Sequence, residues 1–507
     1  MGRDLSWPSA MAAALCFIMS AAAADGKRVG DIRWPQFRGP NGLGVAANGM
    51  KLPVQFGPDK NVLWKSSLPV GHSSPCIWGD RIFLTGFEPK TKKLETICLD
   101  RKDGAIVWRR AAPAEKIERL HEVNTPASPT PAADGERVYV YFGSYGVVCY
   151  DFKGEEKWKQ PLLDHGLPWG SGASPIVAGD YVIVNAGHKS KAGVMALHRK
   201  TGDKAWEKER SRGGALFPGA WSAPVHYRHD GEDEVIVAGC DHLAAYNLED
   251  GAERWRVRGL PPVSYSTPII NGDLMYLTLT DQIGDPQNVV QLPSFEEFAK
   301  KYDKNKDGKI SRDEVPDDFT LVTRDRPDKI GNFIKLKDMM GRFDRNQDGA
   351  LDKEEWTALL AETEQFRGRV QIAVVAIRLG GKGDVSKSHV VWQETKGVPE
   401  VPSPLCYQGR LYLVKERAIV SCLDPKTGKT LYRERLGASG QCYASPVAGD
   451  GKIYIGTDTG WMVVINAGDK YEVLAKNNLR EPNMATPALV DGKIYLRTAR
   501  HLYAFGE

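Results

Sequence analysis

Apolar and polar residues alternate over short stretches along most of the chain. Examples are "SSPCIWGDRIFLTG" from Ser73 and "SPVAGDGKIYIGTD" from Ser445, where a small polar residue and a proline come first and a Gly/Asp turn follows. Alternation with a period of two is typical of β-strands that bury one face, and the turn predicts a hairpin. The pattern occurs in eight copies, beginning at Ser73, Ala127, Ala173, Ser222, Ser266, Ser403, Ser445 and Thr486.

A second hairpin completes each copy. The stretches "TICLDRKDGAIVWRR" and "VMALHRKTGDKAWEKE" each hold a strand, a glycine-containing turn and a further strand with a large aromatic residue. Glycine supplies the positive φ that such turns need. Because the aromatic residues recur in phase, we interpret them as packing between neighbouring sheets rather than as ligand-binding residues. They are Trp108, Trp158, Trp206, Trp255, Trp392 and Tyr432.

Four strands per copy, repeated about every 40–55 residues, predict a β-propeller. The last copy ends at "HLYAFGE" after three strands, and "NVLWKSSLP" near the N-terminus offers a fourth, with Trp64 at the aromatic position. The predicted fold is therefore all-β, an eight-bladed β-propeller closed by N- and C-terminal strands in one blade. We place the propeller at residues 61–280 and 370–507, after an extended N-terminal segment at 25–60.

Residues 281–369 interrupt the fifth copy and contain two acidic loops, "YDKNKDGKISRDE" and "FDRNQDGALDKEE". Calcium is a hard cation that takes six to eight oxygen ligands, and these loops offer oxygens at the EF-hand spacing, with the backbone carbonyl at the seventh place. Both therefore resemble EF-hands, in a small α-helical EF-hand insertion with two Ca²⁺ sites. The candidate ligands are Asp303, Asn305, Asp307, Lys309, Ser311 and Glu314, and Asp344, Asn346, Asp348, Ala350, Asp352 and Glu355.

Further residues of the insertion fit this interpretation. Gly308 and Gly349 allow the sharp turn of each loop, and Ile310 and Leu351 are expected to form a short β-contact between them. Pro316 predicts that the helix after the first loop is short or broken. The second loop carries four acidic candidates and the first three, so we expect the second site to bind calcium more tightly.

The repeat unit resembles the pyrroloquinoline-quinone (PQQ) type propeller repeat of quinoprotein dehydrogenases and of the outer-membrane assembly factor BamB. The opening "WPQFRGPNGLGVA" from Trp34 resembles the start of exported propeller proteins of planctomycete-type bacteria. The resemblance raises PQQ as a cofactor, with Trp169 and Trp221 as candidate platforms under the quinone; the alternative for both is packing at the channel rim. The sequence holds no adjacent cysteines, no zinc-spaced His/Cys set and no GxSxG motif, and the catalytic residues are unknown.

Residues 1–24 have a secretory signal pattern, with Arg3 before an apolar run and small residues before Asp25. We therefore expect a periplasmic or secreted monomer without a transmembrane segment. Seven cysteines follow the signal, and we interpret them as buried thiols of the sheets. A net charge of +4 argues against nucleic acid as a partner.

Three functions are compatible with these observations. The first is a calcium-binding propeller that acts as a binding or scaffold module for an envelope protein or polysaccharide. The second is a PQQ-dependent quinoprotein oxidoreductase with the cofactor in the propeller channel. The third is a propeller hydrolase or lyase, for which the sequence offers no residues.

Overall fold

Eight four-stranded antiparallel blades form the body of the molecule, which confirms the predicted eight-bladed propeller. The computed structural model describes residues 32–507 except 119, 122, 163–169, 188–191, 211–220, 240–241, 281–288, 327–328 and 368–371. Within each blade the strands run in sequence from the channel outwards, so the first strand of a copy lines the axis and the fourth lies at the rim.

The first four blades contain these strands, in order. Blade one has Cys76–Trp78, Arg81–Glu88, Lys93–Asp100 and Ile106–Ala111, joined by Arg33–Trp34 at its inner edge. Blade two has Ala132–Ala133, Arg137–Phe142, Gly146–Asp151 and Glu156–Pro161. Blade three has Ile176–Ala178, Tyr181–Gly187, Ala192–His198 and Lys204–Arg210. Blade four has Val225–His229, Glu232–Val237, Leu243–Asn247 and Glu253–Val257, joined by the parallel strand Gly383–Asp384 at its rim.

The other four blades follow the same plan. Blade five has Ile269–Asn271, Leu274–Thr280, Ile372–Arg378 and Val390–Glu394. Blade six has Leu405–Tyr407, Arg410–Lys415, Ile419–Leu423 and Thr430–Arg435. Blade seven has Val447–Gly449, Lys452–Gly456, Trp461–Asn466 and Val473–Asn478. Blade eight has Ala488–Val490, Lys493–Arg497, His501–Phe505 and, from the N-terminal part of the chain, Val62–Ser67.

Hydrogen bonds between the Ser/Thr-Pro pairs explain why a hydroxyl recurs there. In six of the eight copies, the backbone N–H of the Ser or Thr donates to the hydroxyl of its counterpart in the next blade, and the donor–acceptor distances lie between 2.9 and 3.1 Å. The last of them, from Thr486 to Ser74, joins blade eight to blade one. Blade four carries Ala223 at this place. The participants are Ser74, Thr130, Ser174, Thr267, Ser403, Ser445 and Thr486.

The recurring tryptophans pack between neighbouring blades, as predicted. The Trp108 indole N–H donates to the Phe152 carbonyl of the next blade at 3.0 Å, and Trp64, Trp158, Trp206 and Trp392 make equivalent bonds. A Cβ on the turn glycine of the next blade would lie 2.4–2.7 Å from the indole, so only glycine fits there. Trp255 differs: blade five has no such turn, and the indole N–H donates to Glu234 of its own blade at 3.1 Å.

The closure predicted from the two chain ends is confirmed. The strand Val62–Ser67 pairs with His501–Phe505 in antiparallel register. Arg497 strengthens the junction: it is fully buried and donates to the Ser73 Oγ at 2.6 Å and the Thr85 carbonyl at 2.8 Å, both in blade one. Burial lowers the pKa of its guanidinium to about 9.

The segment before this strand lies across the axial channel, which the sequence interpretation did not predict. Trp34 pairs with Ile77 of blade one, the Ala133 N–H of blade two donates to Pro35 at 2.8 Å, and Ala46 donates to Ala448 of blade seven at 2.8 Å. These contacts lie on inner strands, which run opposite to the second strands.

Candidate metal centre

The insertion forms a small domain with its own core between the second and third strands of blade five. Its helices are α1 (Phe295–Tyr302), α2 (Leu336–Phe343) and α3 (Lys353–Arg367). Among the described residues, its core contains fourteen buried residues, all between positions 289 and 359. At its centre the Trp356 ring lies 4.5 Å from the Phe298 ring and donates its indole N–H to the Pro293 carbonyl at 3.1 Å. These helices hold the two acidic loops.

A capping box fixes the start of α1. The Ser294 hydroxyl accepts from the Glu297 N–H at 3.3 Å, and the Glu297 carboxylate accepts from the Ser294 N–H at 2.9 Å. Two N–H groups at the helix start are thereby satisfied. The helix ends at Tyr302, so the first acidic loop starts directly after it.

The two loops lie side by side, as the sequence predicts. Ile310 pairs with Leu351 and Ser311 with Ala350 in a two-stranded antiparallel sheet. Ile310 and Leu351 are fully buried. The sheet therefore fixes the two candidate sites to each other at their seventh, eighth and ninth places.

In the first loop, the acidic side chains hold the backbone in a tight turn. The Asp303 Oδ2 accepts from the Gly308 N–H at 3.1 Å, and the Asp307 Oδ1 accepts from the Lys309 N–H at 2.8 Å. The Glu314 carboxylate accepts from Lys304 and Ser311 N–H groups, both at 2.9 Å. These hydrogen bonds, the one from Ser311 foremost, lower the pKa of Glu314.

The second loop repeats this geometry. The Asp344 Oδ2 accepts from the Gly349 N–H at 2.9 Å, and the Asp348 Oδ1 accepts from Ala350 at 3.0 Å. The Glu355 carboxylate accepts from the backbone N–H groups of Arg345 at 2.7 Å and Asp352 at 3.1 Å. The two loops are thus curled alike, with the acidic residues at their first, fifth and twelfth places in matching roles.

A cation is compatible with the donors of these loops. The Asp303 Oδ1 is buried and has no hydrogen-bond partner among the described residues, while its Oδ2 is held by Gly308. Carboxylate, amide, hydroxyl and carbonyl oxygens are the ligands that Ca²⁺ takes. Over the ranges the structure describes, no three His, Cys, Asp or Glu side chains converge as a metal-binding group. Glu314 and Glu355 instead bind the amides of their own loops, so the fit rests on donor type and on Asp303.

The chain after the first loop differs from a complete EF-hand. Residues 312–319 form turns without a helix, in agreement with the prediction from Pro316. A hairpin of Thr320–Arg326 and Lys329–Lys335 follows and leads into α2. Sequence reasoning missed this hairpin, although the β-branched residues Thr320, Val322 and Thr323 in "TLVTRDR" are a strand signal. The first loop therefore lacks the second of its two flanking helices.

One ion pair connects the two candidate sites. The Lys309 Nζ lies 2.6 Å from the Asp348 Oδ2, from the seventh place of the first loop to the fifth place of the second. This interaction lowers the pKa of Asp348 and raises that of Lys309. Ala350 occupies the seventh place of the second loop, so that place carries no charge toward the first loop.

The candidate quinone platform Trp221 is packed against Tyr265 and Gly170. It is 7% exposed, its ring lies 5.1 Å from that of Tyr265, and its indole N–H donates to the Gly170 carbonyl at 2.8 Å. Trp169 lies outside the described residues. The structure thus does not test whether the two tryptophans lie together, and their role under a quinone stays a prediction.

The N-terminal segment that lies across the channel contains residues that sequence reasoning did not single out. Arg38 is fully buried, donates to the Leu43 carbonyl at 3.2 Å, and burial lowers its pKa to about 9. A cavity of about 40 Å³ lies between this segment and blades three to five, lined by Phe37, Ile176 and Thr267 among others. It has room for one or two water molecules. A segment rich in glycine and proline gives no periodic signal, so the sequence did not indicate this placement.

Comparison with known families decides the fold family. The profile of the family described as "Outer membrane protein assembly factor BamB" matches residues 55–213, 118–259 and 416–506, more than half of the chain. The chain belongs to this family. The EF-hand profile matches residues 300–315 and 336–360, which cover both acidic loops of this BamB-family chain. No curated protein matches it.

Solved structures similar to this BamB-family chain include two dehydrogenases and a BamB protein. The europium-containing methanol dehydrogenase is 12% identical, with 95% of this chain and 99% of that chain covered and a TM-score of 0.54. The quinohemoprotein alcohol dehydrogenase from Comamonas testosteroni is 11% identical, with 94% and 81% covered and a TM-score of 0.53. BamB from Moraxella catarrhalis is 11% identical, with 87% and 98% covered and a TM-score of 0.49. At such identities the likeness shows the fold alone.

Proposed function

We propose that this chain is an exported calcium-binding propeller that acts as a binding or scaffold module, with one Ca²⁺ in each EF-hand loop. The observation that carries the proposal is the pair of matching loops joined by the Ile310–Leu351 sheet. The twelve ligands are those predicted from the sequence, and Asp303 already presents a free carboxylate oxygen. Bound calcium would neutralise the carboxylates and stabilise the domain by mass action.

The propeller would provide the binding surface, for a protein or polysaccharide of the cell envelope. The family description names outer membrane protein assembly, which supports an envelope protein as ligand. Among the described residues, no helix is long and apolar enough to cross a membrane. We further propose that the mature chain is a monomer that binds no nucleic acid, in the periplasm or outside the cell.

Native mass spectrometry of the mature protein, before and after chelation, tests this proposal. We expect an added mass of two calcium ions that chelation removes. An additional mass equal to PQQ would instead support the quinoprotein oxidoreductase. A protein without either mass, at calcium concentrations up to the millimolar range of extracellular sites, would contradict both functions.

Calcium titration of the Glu314→Gln and Glu355→Gln variants would assign the sites. Each substitution removes a carboxylate at the twelfth place, where calcium takes a bidentate ligand. We expect each variant to lose one of two binding events, and Glu355→Gln to lose the tighter one. The additional carboxylate of Asp352, where the first loop has Ser311, is the reason. Loss of the tighter event in Glu314→Gln would contradict this ranking.

A further inference from the structure

Lys309 is part of the first loop, and its side chain contacts the second loop. Its backbone carbonyl stands at the seventh place of the first loop, and its ammonium reaches the Asp348 carboxylate of the second loop at 2.6 Å. Asp348 uses its other oxygen to accept from the Ala350 N–H at 3.0 Å. Both oxygens of this candidate ligand are therefore engaged, one of them by a cation of the protein.

The ammonium also lies in the field of neighbouring carboxylates. Asp352 in the second loop and Asp307 in the first both attract it, in addition to Asp348. The Lys309 and Asp348 side chains are 44% and 32% exposed, so their pair contributes little to stability by itself. A positive charge among the calcium ligands therefore affects the binding affinity for a divalent ion more than it affects folding stability.

We propose that the Lys309 side chain lowers the calcium affinity of the second loop, because it is an internal cation on Asp348 that calcium has to displace. This inference rests on the proposed calcium sites. It qualifies the ranking by carboxylate number, since the loop with more acidic ligands also carries the opposing charge. The first loop has no equivalent restraint, because Ala350 occupies the matching place.

The expected effect follows from the charges. A single positive charge about 6 Å from a divalent ion, fully in water, weakens binding roughly tenfold. The ammonium can move away when calcium binds, so we expect the Lys309→Met variant to bind calcium about three- to tenfold more tightly. Salt screens exposed charges, so the difference should shrink between 0.05 M and 0.5 M KCl.

Isothermal titration with calcium in a Glu314→Gln background, which isolates the second loop, provides the test. Lys309→Met and Lys309→Gln should both tighten binding, whereas Lys309→Arg should not. Lys304→Met is the matched control, because it removes the same charge from the same loop at a residue whose backbone N–H, not its side chain, donates to Glu314. The full-length chain is used, and circular dichroism checks that each variant is folded.

The outcomes separate the two proposals. Calcium binding by the Glu314→Gln protein, with the same affinity in the Lys309→Met and parent proteins, would overturn this inference and leave the calcium sites standing. Equal tightening by Lys304→Met would also overturn it, since the effect would then be one of net charge. No calcium uptake by the Glu314→Gln protein would overturn the proposed site in the second loop, and the inference with it.

Discussion

The insertion should unfold independently of the propeller, and Trp356 offers the means to show it. Every residue of the buried cluster around Trp356 lies between positions 289 and 359, and the described residues of the other clusters all lie in the blades or the N-terminal segment. A substitution at the centre of this cluster should therefore weaken the insertion and leave the blades unchanged.

The magnitude for Trp356→Phe follows from the structure. Trp356 is fully buried, and phenylalanine leaves a cavity of about 40 Å³, which costs about 1 kcal/mol. The lost indole bond to the Pro293 carbonyl costs about 1 kcal/mol more. The free energy of opening the insertion should fall by about 2 kcal/mol, which corresponds to roughly thirtyfold faster amide exchange.

Hydrogen exchange followed by mass spectrometry measures this directly. Peptides from α1 and α3 should exchange faster in the Trp356→Phe variant, and blade peptides should not change. The matched control is Trp206→Phe, which also loses an indole bond to a backbone carbonyl, that of Leu248 at 2.8 Å. It should accelerate exchange in blades three and four only. A variant that accelerates exchange in both parts would refute the reasoning.

Three further predictions concern the propeller and the metal. Ser74→Ala leaves the buried Thr486 N–H without its partner at the closing junction, and the free energy of unfolding should fall by about 1–3 kcal/mol in urea titrations. Burial alone would raise the pKa of Asp134, but hydrogen bonds from backbone amides, Tyr139 and Arg199 outweigh burial and hold it below its usual value. Its stabilisation is thus present above the unfolded pKa and lost as pH falls through the folded pKa, so the stability difference between wild type and Asp134→Asn should shrink as the pH falls and vanish once the pH is below the folded pKa. Chelation from a calcium concentration a hundredfold above Kd should destabilise the insertion by about 2.7 kcal/mol for each of the two proposed sites, seen as faster exchange there and not in the blades.

The parts of the fold that the sequence predicts are those with a repeated physical cause. Ser74 and its equivalents recur because their hydroxyls join neighbouring blades, and Trp108 and its equivalents recur because each packs on the glycine turn of the next blade. The sequence predicts the EF-hand loops because cation ligands need fixed spacing, which the two loops show directly. Pro316 likewise indicated where a helix could not continue.

Features that occur once gave no comparable signal. The segment across the channel is held by backbone hydrogen bonds, such as that from the Ala133 N–H to the Pro35 carbonyl. Such bonds do not depend on the identity of the side chains, so they leave no pattern in the sequence. Trp255 looks like the other tryptophans in sequence, but its neighbour blade lacks the glycine turn, so it bonds to Glu234. The Lys309–Asp348 pair depends on the register of two loops that only the tertiary structure fixes.

The shared blade has a consequence for how the chain folds. Val62–Ser67 pairs with His501–Phe505, and Arg497 reaches Ser73, so the contacts that close the ring join residues more than 400 positions apart. Contacts of such sequence separation have a large loop-closure entropy and form late and slowly. A truncation after blade seven would remove the partner of the N-terminal strand and open both edges of the ring. The last 20 residues should therefore decide when the whole molecule becomes resistant to proteases.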